Sequence, residues 1–351
     1  MDVVLTILYC LIVLSVLVFV HEGGHFVAAR MFGIRVSEFM LGLPGPKISF
    51  KFKDTRYGIT CILLGGYARI CGMEPGNLKP HLPEVLQYIH TAGSAKASEV
   101  SAKLGISLDE AEDALEELCE WGCVCRPNGK LDDNMKYLAA DINGYKKGEP
   151  RKVDNKEDYF KNEYFCQFRS LSFWKRSVII LAGIFVNIAF AFIIFIILFS
   201  IIGYDVQNKS TGEITHILMS PIESIQFGLN YLWAVVVAVL GLLNPSTAAE
   251  TVSNSTSLIG IAVISKSAAE AGLTTFLQFM AMISISLGIM NLLPIPPLDG
   301  GRFIIEIIQR ITRRNMPEKF ITITSFIGIA AFVALFIFLT NQDISRFILG
   351  N

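Results

Sequence analysis

The sequence predicts an α-helical polytopic membrane protein with about four core transmembrane helices, a membrane-associated β-hairpin and a small inserted α/β domain. Three observations carry this reading. Of the 351 residues, 52% are hydrophobic and only 17% charged, with a mean hydropathy of +0.50, which is too apolar for an ordinary soluble domain. Apolar runs long enough to cross a bilayer recur: Val3 to about Arg30, about Val178 to Ile202, about Ile321 to Thr340, and a slightly more polar one from Phe276 to Leu293. Residues 81–133, by contrast, have the composition of a soluble unit.

The net charge of −1 says nothing about partners, but the distribution of Lys and Arg does. Basic residues gather after the first run (Arg30, Arg35, Lys47, Lys51), before the second (Arg169, Lys175, Arg176) and between the last two (Arg302, Arg310, Arg313, Arg314), whereas Tyr204 to Gly272 holds only Lys209 and Lys266. The positive-inside rule then places residues 31–172 and 302–320 in the cytosol, with both termini and residues 204–272 outside a cytoplasmic membrane crossed several times. The first run lacks a basic leading segment and a small-residue cleavage site, so it reads as a retained span and not a signal peptide. All cysteines except Cys10 fall on the cytosolic side, where thiols stay reduced, and no disulfides are expected.

Residues 1–80 comprise the first span and a hairpin. The span ends in His21-Glu22-Gly23-Gly24-His25. On a helix, positions i and i+4 differ by about 40° in direction, so both imidazoles can face one metal ion, with Glu22 beside them as a base for a metal-bound water. Ionisable groups at membrane depth are costly and point to a functional site. Next, Ile48, Phe50 and Phe52 alternate with Ser49, Lys51 and Lys53 after a Leu-Pro-Gly-Pro turn, the periodicity of a strand. Such a strand could pair with an extended substrate through its edge, or it could simply pack on the helices.

Residues 81–133 read as three helices and a short hairpin, an order similar to a winged helix-turn-helix domain. They hold four Lys or Arg against eleven Asp or Glu, and such a surface repels phosphate backbones. A cytosolic protein partner is therefore expected for this insert, and no nucleic acid. Cys119, Cys123 and Cys125 have poor zinc-ribbon spacing and read as small apolar residues. Residues 134–172 read as a solvated linker, and residues 173–351 as the rest of the membrane core.

In the second span Gly183 and Asn187 lie four apart, and an Asn in a bilayer needs a partner, either another helix or a bound peptide backbone. Residues 225–243 are uncharged, but a crossing here would oppose the charge rule, so an interfacial helix is predicted. Finally, in Asn291-Leu-Leu-Pro-Ile-Pro-Pro-Leu-Asp299-Gly-Gly301 three prolines break a helix at membrane depth. Broken backbone is tolerated there when it lines a cavity or is buried in protein. Asp299 is a candidate third metal ligand or, alternatively, a cap for the helix that follows.

Together, HEGGHF and NLLPIPPLDGG resemble the site-2 protease family of intramembrane zinc metalloproteases, and the likeness extends over the membrane core. The resemblance implies Zn2+ held by His21, His25 and Asp299, Glu22 as catalytic base, and Asn187 in substrate binding. It implies hydrolysis of a peptide bond within or next to the transmembrane segment of a single-pass substrate. Two departures stand out: Ile184 replaces a proline of the family's motif, and residues 204–224 are too short for the PDZ domain of many bacterial members. The rival readings are a non-proteolytic metal-binding or transport protein, though no internal repeat is found, and an inactive membrane scaffold, against which retention of Glu22 argues.

Overall fold

The structure, a computed structural model, describes residues 2–344 apart from 64, 74–77, 128–135, 208–213, 245, 254 and 256. Helix α1, Asp2–Met31, holds no proline and runs unbroken through Gly23 and Gly24 until Gly33, whose φ of 77° turns the chain. Four strands follow: β1 Val36–Leu41, β2 Lys47–Phe52, β3 Thr55–Thr60 and β4 Gly66–Ile70, in sheet order β2-β3-β1-β4. β2 and β3 form the expected hairpin. β1 pairs with β3 in parallel and with β4 antiparallel, which leaves β4 as the edge nearest α1.

Because strand side chains alternate, neighbouring cross-strand rows face opposite ways. Phe50, Tyr57, Phe39 and Ala68 stand opposite one another in one row. That row faces α1, where the Phe39 ring lies 5.4 Å from Phe19 and 5.1 Å from Phe26. The adjacent row is Lys51, Arg56, Glu38 and Arg69, and it faces away from α1.

The acidic insert contains α2 Leu82–Ala92, β5 Ser94–Ala95, α3 Ala97–Leu104, α4 Leu108–Glu120, β6 Val124–Cys125 and β7 Tyr137–Ala139, with strand order β5-β7-β6. Ser107 and Glu110 cap α4 reciprocally. Val85, Leu86, Ile89, Leu115 and Leu118 are fully buried and form its core. The stretch read as a solvated linker is folded against this core. β7 is the central strand, and α5, Lys156–Phe165, lays Tyr159, Phe160 and Tyr164 on it. Dispersed aromatic residues do this among many charges, which is why composition alone hides it. The tip of the predicted hairpin, residues 128–133, lies outside the described residues.

The remaining elements are α6 Phe173–Ile196, continued by a π-helical turn to Ile202, the ribbon β8 Tyr204–Gln207 and β9 Ile214–Ile217, α7 Pro221–Leu243, α8 Ala248–Ser253, α9 Leu258–Ala271, α10 Leu273–Asn291, α11 Asp299–Thr312 and α12 Glu318–Asp343. Five helices, not the four expected, are long and apolar enough to cross a membrane: α1, α6 with its extension, α7, α10 and α12. The addition is α7. Met219 N–H donates to the Phe199 carbonyl at 2.9 Å, Ser224 meets Ser200 at 2.7 Å, and the Phe227 ring stands 5.3 Å from Phe195. α7, which covers residues 225–243, thus runs antiparallel along α6 and packs lengthwise on it. Gly228 permits it, since a Cβ there would stand 2.9 Å from the Phe192 ring. α10 also lies antiparallel on α6, where the Ser284 hydroxyl donates to the Asn187 carbonyl at 2.9 Å.

Candidate metal centre

His21 and His25 project from one face of α1 toward α6, and both are buried. Asp299, the first residue of α11, arrives from the other side. Its Oδ2 lies 3.1 Å from each histidine Nε2, and the two Nε2 atoms are 3.3 Å apart. Around a metal with bonds of about 2.0–2.1 Å, tetrahedral ligand atoms are separated by about 3.3 Å. The three atoms therefore stand like three corners of a tetrahedron whose fourth corner is free. With the Nδ1 protons directed elsewhere, these three atoms are acceptors at a spacing that a shared metal cation would match. The donor set of two imidazoles and one carboxylate suits zinc. Among the described residues this is the one group of His, Cys, Asp or Glu able to hold a metal.

Neighbouring groups orient the ligands. His25 Nδ1 donates to the Ile179 carbonyl at 2.8 Å, which fixes the proton there and leaves the Nε2 lone pair facing Asp299. The Asn187 amide lies 3.3 Å from His21 Nδ1, and its Oδ1 has no other partner. A half-turn of the amide, which leaves its shape unchanged, places that oxygen to accept the Nδ1 proton. Of the two alternatives read for Asn187, the structure supplies a helix partner. Its side chain is fully buried against α1.

Two glycines set the spacing. A Cβ on Gly24 would stand 2.7 Å from the Ala182 carbonyl oxygen, and one on Gly183 would stand 2.8 Å from His21 Cε1 and collide with His25 Nε2. The proline-broken segment folds back so tightly that a Cβ on Gly300 or Gly301 would overlap the backbone of Leu292 or Pro296. Two turns along α11 from Asp299, the buried Glu306 carboxylate holds Arg169 and Arg176, each at 3.1 Å, and so ties α11 to the start of α6.

Glu22 turns off the ligand face toward the sheet, where its Oε2 accepts the Ala68 N–H of β4 at 2.9 Å. Sequence reasoning found His21, Glu22, His25 and Asp299, which the fold brings together. It did not find Gly24, Glu306, Ala68 or the steric role of Gly183, because each acts through a contact distant in sequence.

A multi-pass membrane fold that encloses HExxH and an aspartate from a broken helix is the architecture of a membrane-embedded zinc metalloprotease. The chain belongs to peptidase family M50, whose profile matches residues 9–335, and it is a zinc metalloprotease of the site-2 type. It is similar to the zinc metalloprotease RasP of Geobacillus kaustophilus, 24% identical over 98% of this chain and 99% of the relative. The regulator of sigma-W protease RasP of Bacillus subtilis is 25% identical over 98% of this chain and 99% of its own length. A Campylobacter jejuni relative, Cj1068, is 28% identical over 96% of this chain and 92% of its own.

Proposed function

We propose that this protease hydrolyses a peptide bond within or beside the transmembrane segment of a single-pass membrane protein. The observation that carries the reading is the convergence of His21, His25 and Asp299 beside the carboxylate of Glu22, all next to a sheet edge. His21, His25 and Asp299 would hold zinc, which when bound would supply Lewis acidity toward the scissile carbonyl and acidify water. Glu22 removes a proton from the attacking water and returns it to the leaving amine. Asn187 helps to hold substrate and also steadies His21. β4, an edge strand beside Glu22, receives an unwound stretch of substrate by β-augmentation, since a peptide bond inside a helix is shielded by its own hydrogen bonds.

The insert, with its order of helices and strands, is a winged-helix-like module that binds a cytosolic protein and not nucleic acid. Both termini and residues 204–272 lie outside the cytoplasmic membrane, and the insert lies in the cytosol. The test is zinc analysis of detergent-purified protein together with cleavage of a model transmembrane peptide. Glu22→Gln retains zinc and loses cleavage, whereas His21→Ala and Asp299→Ala lose zinc as well. Cleavage at the wild-type rate by the Glu22→Gln protein would overturn the assignment.

A further inference from the structure

The charged row of the sheet does not face bulk solvent alone. A cavity of about 360 Å3 lies between it and the insert, lined from one side by Arg56 and Arg69 and from the other by Cys125, Asp141 and Lys147. Most charges at its wall are already matched. Arg35 pairs with Glu163 at 2.8 Å, Lys51 with Asp141 at 2.7 Å, Arg126 with Glu120 at 2.8 Å, and Glu38 with Lys47. Arg56, Arg69 and Lys147 have no carboxylate within ion-pairing distance among the described residues, and the one remaining acid at the wall, Asp54, accepts the Asn143 N–H at 3.2 Å.

Arg56, Arg69 and Lys147 against Asp54 leave this polar cavity with more positive than negative charge, although Glu38 lies between the two arginines in the sheet. Lys51 and Arg56 stand directly opposite each other in the sheet, and Asp141 offsets the Lys51 charge at 2.7 Å. We propose that this cavity binds a phosphate-bearing anion between the insert and the sheet, with Arg56, Arg69 and Lys147 as its ligands. A phosphomonoester carries about two negative charges near neutral pH and three acceptor oxygens, and guanidinium groups match such oxygens in pairs. The same phosphomonoester is offered by a soluble phosphate ester and by the headgroup of phosphatidic acid in the cytosolic leaflet. Arg69 directly follows Ala68, so the cavity occupies the reverse face of the strand that holds Glu22.

The test uses full-length protein in nanodiscs. In pure phosphatidylcholine discs, glycerol 3-phosphate is titrated by calorimetry, and alkylation of Cys125 by N-ethylmaleimide is followed by peptide mass spectrometry. Saturable binding with slowed Cys125 alkylation identifies a soluble ligand. Slowed alkylation in discs containing phosphatidic acid, with no soluble phosphate, identifies a headgroup. In either case Arg56→Gln/Arg69→Gln weakens the effect roughly tenfold or more, as expected for loss of charge-assisted hydrogen bonds. Should that protein not fold, as judged by zinc content and elution, the exposed Lys147→Glu carries the same comparison. Absence of binding and protection in both kinds of disc overturns the proposal, as does protection that survives these substitutions. None of these readouts requires proteolysis, so their failure is distinct from failure of the proposed activity.

Discussion

Gly24 and Gly183 form the two sides of one helix contact, and a methyl group added to either should empty the metal site. A Cβ on Gly183 would stand 2.8 Å from His21 Cε1 and closer still to His25 Nε2. Carbon atoms settle at about 3.5–4.0 Å, so the imidazoles must retreat by roughly 0.7 Å or more. α1 cannot simply move away to make room, because its ligands must still meet Asp299 within about 3.1 Å. Misplacement of about 1 Å at a catalytic constellation costs on the order of a hundredfold in rate. We therefore expect Gly183→Ala to bind zinc substoichiometrically and to cleave a model transmembrane peptide about a hundredfold more slowly. Gly24→Ala, whose Cβ would press on the Ala182 carbonyl at 2.7 Å, should behave similarly. Gly23→Ala is the internal control. No atom lies within 4 Å of its Cβ, so zinc is retained and the helix gains about 0.5–1 kcal/mol of local stability. Metal analysis, cleavage rates and thermal melts of the three proteins in one detergent decide the matter. Full zinc and full activity in Gly183→Ala would refute the reasoning.

Glu306→Gln leaves Arg169 and Arg176 without their buried anion, which should cost about 3–5 kcal/mol and lower the melting temperature, as differential scanning fluorimetry would record. A pH dependence is expected from His90, which burial depresses to about 4, with Arg151 adding to the effect against the hydrogen bond to the Cys123 carbonyl. The unfolded chain binds that proton below about 6.5 and the folded chain does not, so stability is complete above pH 6.5 and is lost as the pH falls toward 4, by about 2 kcal/mol at pH 5. Melts at pH 7 and pH 5 should converge in His90→Gln, and an unchanged difference would exclude His90 as the cause. Topology can be read with single cysteines at described, exposed positions on the two sides. In a cysteine-free background, Leu218→Cys should be labelled by an impermeant maleimide on intact cells and Lys103→Cys only after lysis. The reverse pattern would invert the orientation.

Much of the site could be read from the chain because its signals are local. The spacing of His21 and His25 fixes a shared helix face, and three prolines before Asp299 announce broken backbone. What stayed hidden is non-local. The parallel pairing of β1 with β3 depends on a crossover that no strand pattern encodes, and the role of Glu306 requires knowing that α11 lies beside Arg169 and Arg176. Tyr137, Tyr159 and Phe160 were masked by the charges around them, so a folded segment looked like a linker. Residues 225–243 form a helix long and apolar enough to cross a membrane, and the packing of Phe227 and Gly228 along α6, which no charge pattern encodes, sets its direction.

The bond from His25 to the Ile179 carbonyl has a consequence for how this protein would come apart. Neither histidine is held by α1 alone. One is anchored to a backbone oxygen of α6 and the other lies on an α6 amide, so both depend on the axial register of two helices. A slip of one residue moves α6 by about 1.5 Å, more than a metal bond tolerates. Zinc thus acts as a pin against sliding, and its loss should come before any loss of helix when the membrane core is stressed.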